Sequence, residues 1–195
     1  MDKNTIKAYD RDAEGISEIH QKLIPDRLYS LISEYFWPGL KTLDVGCGSG
    51  RDTNWLAERG FDVLGVDAST GMLDQSISRY PNLNFQMTAL PNLDGLANGL
   101  YSNVLCSAVL MHLEHHALRD AVENMIRVSS NNGILLVSIR GTYEPSKREG
   151  GKLYEEISKE YLVKLFEDFG ADLLFYEEIM ETVRKHVWRT FVFKK

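Results

Sequence analysis

Three glycines alternate along a short segment of the chain, and acidic residues lie before and after them. The segment reads Leu43-Asp44-Val45-Gly46-Cys47-Gly48-Ser49-Gly50, and Asp67 follows 21 residues after Gly46. Glycine lets a backbone turn sharply and approach a ligand without a Cβ atom in the way. A carboxylate at the position of Asp67 can accept hydrogen bonds from both hydroxyls of a ribose. The spacing therefore predicts a site that binds a nucleoside.

The elements around these residues must bring the glycines and Asp67 to one edge of a sheet. Residues 42–45 and 61–66 are predicted to be buried strands, because both runs are short and β-prone and lack a helical period. A helix is predicted between them, from about Asp52 to Arg59. Its first N–H groups would point into the same crevice as the glycine loop. Together these elements predict a nucleoside-binding strand–loop–helix–strand unit.

The residues beside the glycines distinguish between nucleosides. Dinucleotide-binding loops follow the pattern G-x-G-x-x-G, whereas this chain has G-x-G-x-G, with Arg51 in place of the third glycine. Asp44 lies two residues before the first glycine. A carboxylate there would repel a pyrophosphate but can pair with an ammonium group. The pattern therefore favours S-adenosylmethionine, a nucleoside that carries an amino acid, over NAD.

Through the motifs LDVGCGSG and GVDAS, the chain resembles the class I S-adenosylmethionine-dependent methyltransferases from Thr42 onward. The resemblance implies that Gly46, Cys47 and Gly48 cradle the methionine moiety and that Asp67 binds the ribose. It also implies further cofactor contacts, from the adenine pocket to the methionine end, at Ala68, Met72, Gln86, Met87 and Ser107. The expected product of the cofactor is S-adenosyl-L-homocysteine.

Two residues are the candidates for catalysis near the methyl acceptor. Residues 109–113 are similar to a family stretch that ends in His-Leu, which singles out His112. Tyr9-Asp10 is similar to a Tyr-Asp pair that the family often has near its N-terminus, which singles out Tyr9. Methyl transfer depends mostly on proximity and in-line alignment, and it needs a general base only if the acceptor must lose a proton.

Three residues in the last third of the chain are candidates for binding the acceptor. Arg140 directly follows the fifth predicted strand, and its guanidinium can orient an anionic acceptor. Arg148 and Tyr154 lie in the variable region where enzymes of this kind select their substrates. The adjacent histidines at 115 and 116 would point in different directions from a helix. With His112 and Glu114 they therefore form no metal-ligand triad, and no metal is expected.

Strands that alternate with helices predict a parallel sheet with right-handed crossovers. Five further strands are predicted, at residues 83–86, 102–110, 134–139, 171–176 and about 186–193. The last two have no helix between them and are predicted to pair antiparallel. The expected fold class is α/β, a Rossmann-like doubly wound sheet of seven strands, mostly parallel with an antiparallel C-terminal hairpin. The family resemblance implies the same arrangement.

The other predicted elements complete one domain of three parts. Apolar residues recur at helical spacing from Ile16, Ile19 and Leu23 to Tyr35. Pro25 lies inside this run and is predicted to divide it into two short helices. Further helices are predicted at residues 71–80, 115–128 and 159–169, with a turn at 131–133 and a surface loop at 141–151. Residues 1–38 are expected to form a helical cap, residues 39–140 the cofactor-binding core, and residues 141–195 the substrate side with the hairpin.

The composition narrows the class of protein. A chain of 195 residues with 44% hydrophobic content can form one domain with a full core. A net charge of −6 argues against a protein built to hold long nucleic acid, and the mixed basic and aromatic residues 184–189 are interpreted as a solvated strand face. No apolar run is long enough to span a bilayer. Two cysteines and the absence of a secretion signal favour the cytoplasm.

The leading hypothesis is a methyltransferase that acts on a small-molecule acceptor. A methyltransferase acting on RNA or protein is an alternative, although the chain has no Asn/Asp-Pro-Pro-Tyr/Phe motif after the fourth strand. A non-catalytic regulatory domain that retains the cofactor pocket is a second alternative. An NAD-dependent oxidoreductase is disfavoured by Asp44 and Arg51.

Overall fold

The computed structural model describes residues 1–142, 144, 146–181 and 186–195, and this part of the chain alternates helices with strands. The helices are α1 (Lys3–Arg11), α2 (Ala13–Lys22), α3 (Asp26–Tyr35), α4 (Arg51–Ala57), α5 (Thr70–Arg79), α6 (Leu118–Val128) and α7 (Lys159–Asp168). The strands are β1 (Lys41–Val45), β2 (Asp62–Asp67), β3 (Asn84–Met87), β4 (Tyr101–Ser107), β5 (Ser129–Gly141), β6 (Lys147–Glu149), β7 (Lys152–Tyr154), β8 (Asp172–Met180) and β9 (Val187–Lys194). Within these residues, no helix has both the length and the apolar character that crossing a bilayer requires.

Seven of the strands form one sheet in the order β3-β2-β1-β4-β5-β9-β8. The pairs from β3 to β5 are parallel, whereas β9 pairs antiparallel with both β5 and β8. This confirms the predicted α/β Rossmann-like fold with its antiparallel C-terminal hairpin. The strand order reverses between β1 and β4, and in open α/β sheets a ligand binds beyond the carboxyl ends of the strands at such a point.

Side chains of the central strands contribute alternately to two apolar cores, one on each face of the sheet. In β4, Val104 and Cys106 belong to the core that α6 and α7 cover, and Leu105 belongs to the core that α3 and α4 cover. This alternation follows from the two-residue period of a strand. Because both faces are covered by helices, the polar groups that do chemistry must lie at the ends of the strands.

Asn103 of β4 connects the sheet to the segment that precedes β1. Its side-chain oxygen accepts from the Trp37 N–H at 3.1 Å. Its amide donates to the Trp37 carbonyl at 3.1 Å and to the Thr42 hydroxyl at 2.9 Å. The residue has no exposed surface, so these bonds satisfy an otherwise buried polar group. Asn103 thereby holds the strand that carries the glycine loop.

Helix α1 has no counterpart among the predicted elements. The segment is polar, and only Thr5 and Ala8 of the helix are buried. Asp2 caps the helix by accepting from the Thr5 N–H at 2.8 Å. A helix held mainly by polar contacts leaves no apolar stripe for periodicity to detect.

The apolar stripe predicted for α2 does not face the core. Ile19 is 54% exposed and Leu23 is 41% exposed, whereas Ala13 and Ser17 are the buried residues of the helix. A Cβ atom on Gly71, at the start of α5, would lie 3.0 Å from the Ala13 Cβ. Small residues at this contact allow the two helices to approach closely, and this contact decides the orientation of α2.

Two predicted boundaries around β4 and β5 are wrong. The strand predicted over 102–110 ends at Ser107, and a 3₁₀ turn follows at Leu110–His112. Residues 109–111 are buried all the same, and a short apolar run does not distinguish a strand from a buried turn. The turn predicted at 131–133 instead lies within β5, where the pairing register with β4 shifts and Asn132 has a φ of 61°.

Two predictions for the C-terminal third are also wrong. The loop predicted at 141–151 contains β6, which forms a separate two-stranded hairpin with β7; Tyr143 and Pro145 of this loop lie outside the described residues. In the stretch interpreted as a solvated basic face, Arg189 is only 9% exposed and donates to Glu178 Oε2 at 2.7 Å. Arg184 and Lys185 of that stretch lie outside the described residues.

Replacing Asn103 with Ala should lower the free energy of unfolding by about 1–3 kcal/mol, because the Trp37 backbone groups and the buried Thr42 hydroxyl would lose their partners. Urea denaturation monitored by circular dichroism measures the change. The matched control is Asn84→Ala in the exposed strand β3, which should change the stability by less than about 0.5 kcal/mol. Equal losses in the two variants would contradict this account of Asn103.

Candidate active site

The glycine loop begins where β1 ends. The N–H groups of Gly46 and Cys47 both donate to the Val66 carbonyl, at 2.7 and 3.0 Å. Gly46 has a φ of 71°, which L-residues with side chains rarely adopt. A Cβ atom at this position would also overlap Val109 Cγ2. Glycine at position 46 is therefore required by its backbone angle and by its neighbour.

Asp67 lies beside the glycine loop, as the sequence predicts, and a hydrogen bond joins the two directly. The Asp67 carboxylate accepts from the Gly48 N–H at 2.8 Å and from the Ser69 N–H at 2.9 Å. Burial raises the pKa of Asp67, although the backbone N–H groups around it favour the charged form. Each carboxylate oxygen keeps a further lone pair that can accept from a ligand hydroxyl.

Asp44 lies beneath the loop and is 2% exposed. The Thr53 hydroxyl donates to its Oδ2 atom at 2.6 Å. Burial, followed by the nearby negative charge of Asp52, raises the pKa of Asp44 well above its usual range. A buried carboxylate with so little compensation would be stabilised by a cationic ligand group.

Arg51, in place of the third glycine of a dinucleotide loop, connects the glycine loop region to the helical cap. Its guanidinium pairs with Asp52 at 2.8 and 2.9 Å and donates to the carbonyls of His20 and Leu23 at 3.3 Å. Tyr29 of α3 donates to the same Asp52 carboxylate at 2.8 Å. These contacts hold α2 and α3 against the start of α4.

The other predicted cofactor residues lie around this loop with different exposures. Met72 is 1% exposed, and its Cε atom would lie 3.5 Å from a Cβ atom on Gly48. Met87 is 55% exposed and pairs in register with Asp67. The Ser107 hydroxyl lies 2.9 Å from that of Ser138. Among the remaining positions, Cys47 is buried, Ala68 is half-buried and Gln86 is exposed. Burial also raises the pKa of the Cys47 thiol, which keeps it protonated.

Asp10 is a site residue whose contacts the sequence does not predict. Its Oδ1 atom accepts from the Ser69 hydroxyl at 2.6 Å and from the Gly71 N–H at 3.0 Å. Ser69 is also the N-cap of α5 and accepts from the Met72 N–H. Asp10 thereby docks α1 onto the start of α5, next to Asp67. The sequence feature that could have indicated a role for Asp10 is the Tyr9-Asp10 pair, of which only Tyr9 is predicted to act.

Tyr9 and His112, 103 residues apart in the sequence, are brought together by the docking of α1. Tyr9 Oη lies 3.2 Å from His112 Nε2, and His112 Nδ1 lies 2.5 Å from the Leu153 carbonyl. Since a carbonyl can only accept, Nδ1 carries the proton and Nε2 accepts from Tyr9. Burial lowers the pKa of His112 to about 4 and raises the pKa of Tyr9. Both side chains are therefore neutral at physiological pH.

Arg140 and Tyr154, two of the predicted acceptor residues, lie in contact beside this pair. The Arg140 Cζ atom lies 3.8 Å from the centre of the Tyr154 ring, and that ring lies 5.0 Å from the His112 ring. Arg140 Nη2 donates to Glu149 at 2.6 Å. Lys152 is not among the predicted acceptor residues, yet its Nζ atom lies 4.2 Å from the centre of the Tyr9 ring. The one signal in the sequence is its spacing of two residues from Tyr154, which places both side chains on the same face of β7.

Arg148, the third predicted acceptor residue, has a different set of partners. Its guanidinium pairs with the Asp2 carboxylate at 3.0 and 3.1 Å and donates to the Gly151 carbonyl at 3.2 Å. This ion pair and the hydrogen bonds to Thr5 hold the Asp2 carboxylate charged and its pKa below the usual range. Arg148 therefore holds the start of α1 against the β6–β7 hairpin.

Replacing Gly46 with Ala should destabilise the protein by about 2–4 kcal/mol, since the variant suffers both backbone strain and overlap with Val109. Gly60→Ala is the matched control, because Gly60 has a φ of 82° but open space around it. Urea denaturation should show the smaller loss for Gly60→Ala. In the double variant Gly46→Ala/Val109→Ala, the loss should be smaller than the sum of the single losses. Strict additivity would contradict the overlap.

The low pKa of His112 predicts a pH-dependent contribution to stability. The unfolded chain binds a proton at His112 below about pH 6.5, whereas the folded protein does so only below about pH 4. The stability contributed by the neutral ring is therefore present above about pH 6.5 and is lost as the pH falls to about 4.

Over this interval, the stability advantage of the parent protein over His112→Gln should shrink by up to about 3 kcal/mol. Unfolding titrations at a series of pH values measure the difference, and the exposed His116→Gln variant is the control. A difference between the parent protein and His112→Gln that does not change with pH would contradict burial as the cause.

Comparison with known proteins shows that the chain is similar to methyltransferases in sequence and in fold. The sequence model of a family described as a methyltransferase domain matches residues 42–133, which include the glycine loop, Asp67 and Ser107. Trans-aconitate 2-methyltransferase of Deinococcus radiodurans is 36% identical over 99 residues, covering 49% of this chain and 33% of that protein. Demethylmenaquinone methyltransferase of Beutenbergia cavernae is 29% identical over 150 residues, covering 75% of this chain and 59% of that protein.

The chain thus spans between about a third and three fifths of the length of these curated relatives. Among solved structures, the 1,6-didemethyltoxoflavin-N1-methyltransferase of Burkholderia thailandensis superposes with a TM-score of 0.79 at 16% identity. The superposition covers 98% of this chain and 87% of that chain, and it establishes the likeness of the fold. In its matched segment, its related sequences and its sheet order, the chain is similar to the class I S-adenosylmethionine-dependent methyltransferases.

Proposed function

We propose that the protein transfers a methyl group from S-adenosylmethionine to a small-molecule acceptor. The observation that carries the proposal is the direct bond between the glycine loop and Asp67, with the buried Asp44 beneath it. In this proposal residues 39–140 form the cofactor-binding core. Residues 1–38 and 141–195 close the acceptor side.

The chemistry of these residues fits the cofactor. Asp67 has lone pairs for ribose hydroxyls, and Asp44 gains from the ammonium group of the methionine moiety. The loop Gly46–Gly48 offers backbone without side-chain obstruction next to both carboxylates. Ala68, Met72, Gln86 and Met87 would surround the adenine, and Ser107 would face the methionine end. When bound, S-adenosylmethionine supplies an electrophilic methyl group on a sulfonium and leaves as S-adenosylhomocysteine.

On the acceptor side, Tyr9 and His112 orient groups more readily than they accept protons. A histidine with a pKa of about 4 is a weak base at neutral pH, and its Nε2 lone pair already accepts from Tyr9. We assign the pair to positioning the acceptor, with Arg140 and Tyr154 as further walls of the pocket. Alignment of the acceptor with the methyl group then supplies most of the rate enhancement.

A small acceptor is favoured over a macromolecule by the way the site is covered. Tyr9 and Asp10 of α1 contact His112 and Ser69, so the helix lies across the acceptor side of the crevice. The relatives carry the names of small compounds, namely trans-aconitate, demethylmenaquinone and 1,6-didemethyltoxoflavin. Both observations support a substrate that fits inside the covered pocket.

Calorimetric titration with S-adenosylmethionine, S-adenosylhomocysteine and NAD tests the cofactor directly. We expect micromolar binding of the first two compounds and none of NAD, because Asp44 repels a pyrophosphate and Arg51 replaces the third glycine. Binding of NAD without binding of S-adenosylmethionine would overturn the proposal.

Asp67→Asn should weaken the binding of S-adenosylhomocysteine by about 1–3 kcal/mol, since the ribose would lose a charge-assisted hydrogen bond. Asp62→Asn is the matched control at the other end of β2, where the exposed carboxylate pairs with Lys41. Titration calorimetry should show an unchanged affinity for this control. An unchanged affinity in Asp67→Asn would remove Asp67 from the cofactor site.

A further inference from the structure

Arg140 and Lys152 present two positive charges to the same group of aromatic rings. The rings of Tyr9 and Tyr154 each lie within 5.7 Å of the His112 ring, centre to centre. Arg140 lies over the face of Tyr154, and Lys152 lies over the face of Tyr9. The two cations therefore lie against one cluster of rings, formed by Tyr9, His112 and Tyr154.

Carboxylates compensate these charges only in part. Glu149 accepts from Arg140 at 2.6 Å, and the same carboxylate lies 3.5 Å from Lys147 Nζ. Arg140 Nε is buried and has no hydrogen-bond partner among the residues that the structure describes. Such a donor usually has an acceptor in the working state of a protein.

Lys152 is the less compensated of the two cations. Within the described part of the chain, its Nζ atom forms no hydrogen bond or ion pair, and its contact is the face of Tyr9. It lies opposite Glu149 in the β6–β7 register, but Arg140 and Lys147 already engage that carboxylate. The attractive charge nearest to it, Asp12, is itself paired with Arg11 at 2.7 Å. Burial and the repulsion of Arg140 lower the pKa of Lys152, although Asp12 opposes this effect.

We propose that Arg140 and Lys152 form an anion-binding subsite that selects acceptors carrying a carboxylate or another oxyanion. Arg140 Nε and Lys152 Nζ supply donors to the anion, and the rings of Tyr9 and Tyr154 fix both cations in place. The inference rests on the proposed function, since it concerns the acceptor pocket of that reaction. It adds Lys152 to the acceptor residues and specifies the charge of the substrate.

Three probes of similar shape and different charge test the subsite, namely benzoate, benzamide and benzylammonium. Their binding to the full chain, saturated with S-adenosylhomocysteine, can be followed by ligand-observed NMR. We expect benzoate to bind at least about tenfold more tightly than benzamide, and benzylammonium to bind most weakly.

Lys152→Met should raise the Kd for benzoate about five- to tenfold and leave that for benzamide unchanged. Lys152→Arg keeps the charge and should retain the preference for benzoate. Lys159→Met is the matched control, since Lys159 lies 4.4 Å from the centre of the Tyr176 ring in a similar half-buried contact. This control should behave like the parent protein. Thermal melts of each variant establish that it is folded.

A parent protein that binds benzamide or benzylammonium as tightly as benzoate would overturn the inference. An unchanged benzoate Kd in folded Lys152→Met, or an equal rise in Lys159→Met, would also overturn it. The titration with S-adenosylhomocysteine distinguishes the two levels of the argument. Cofactor binding without a preference for benzoate refutes the subsite alone, whereas the absence of cofactor binding refutes the proposed function.

Discussion

The Asp67 carboxylate, held by the N–H groups of Gly48 and Ser69, is the interaction on which the rest of the site depends. It joins the end of β2 to the glycine loop after β1, and through Ser69 it reaches the start of α5. The same Ser69 hydroxyl donates to Asp10 and so receives α1. One half-buried acidic group therefore connects the glycine loop to α1, the helix that covers the proposed acceptor side.

The charges of the site are distributed unevenly along the crevice. Asp44 and Asp67 lie at the glycine loop, and Arg140 and Lys152 lie at the pocket of Tyr9 and His112. S-adenosylmethionine carries its positive charges on the sulfonium and the ammonium group, so it is complementary to the two carboxylates at the glycine loop. An anionic acceptor would be complementary to the two cations beside Tyr9 and His112. This separation would orient both reactants before any base is required, which agrees with the low basicity of His112.

Polar contacts rather than apolar packing assemble the proposed acceptor side. Asp2 pairs with Arg148, the Thr5 hydroxyl accepts from the Leu153 N–H at 2.8 Å, and Tyr9 donates to His112. These contacts join α1 to the β6–β7 hairpin and to the turn after β4. Because each partner lies far along the chain from the other, this cluster forms only when the whole fold is in place.

The sequence by itself determined the sheet and the glycine loop with its neighbouring acids. The alternation of strands and helices predicts the parallel order, and glycines at 46, 48 and 50 with acids at 44 and 67 predict the loop, because these features are local in the chain. Tertiary structure alone decided the proposed acceptor side. Helix α1 lacks an apolar stripe, α2 packs through Ala13 and Ser17 instead of its isoleucines, and Lys152 acquires its role from Tyr9. Each of these outcomes depends on contacts between distant segments, which no local pattern of residues encodes.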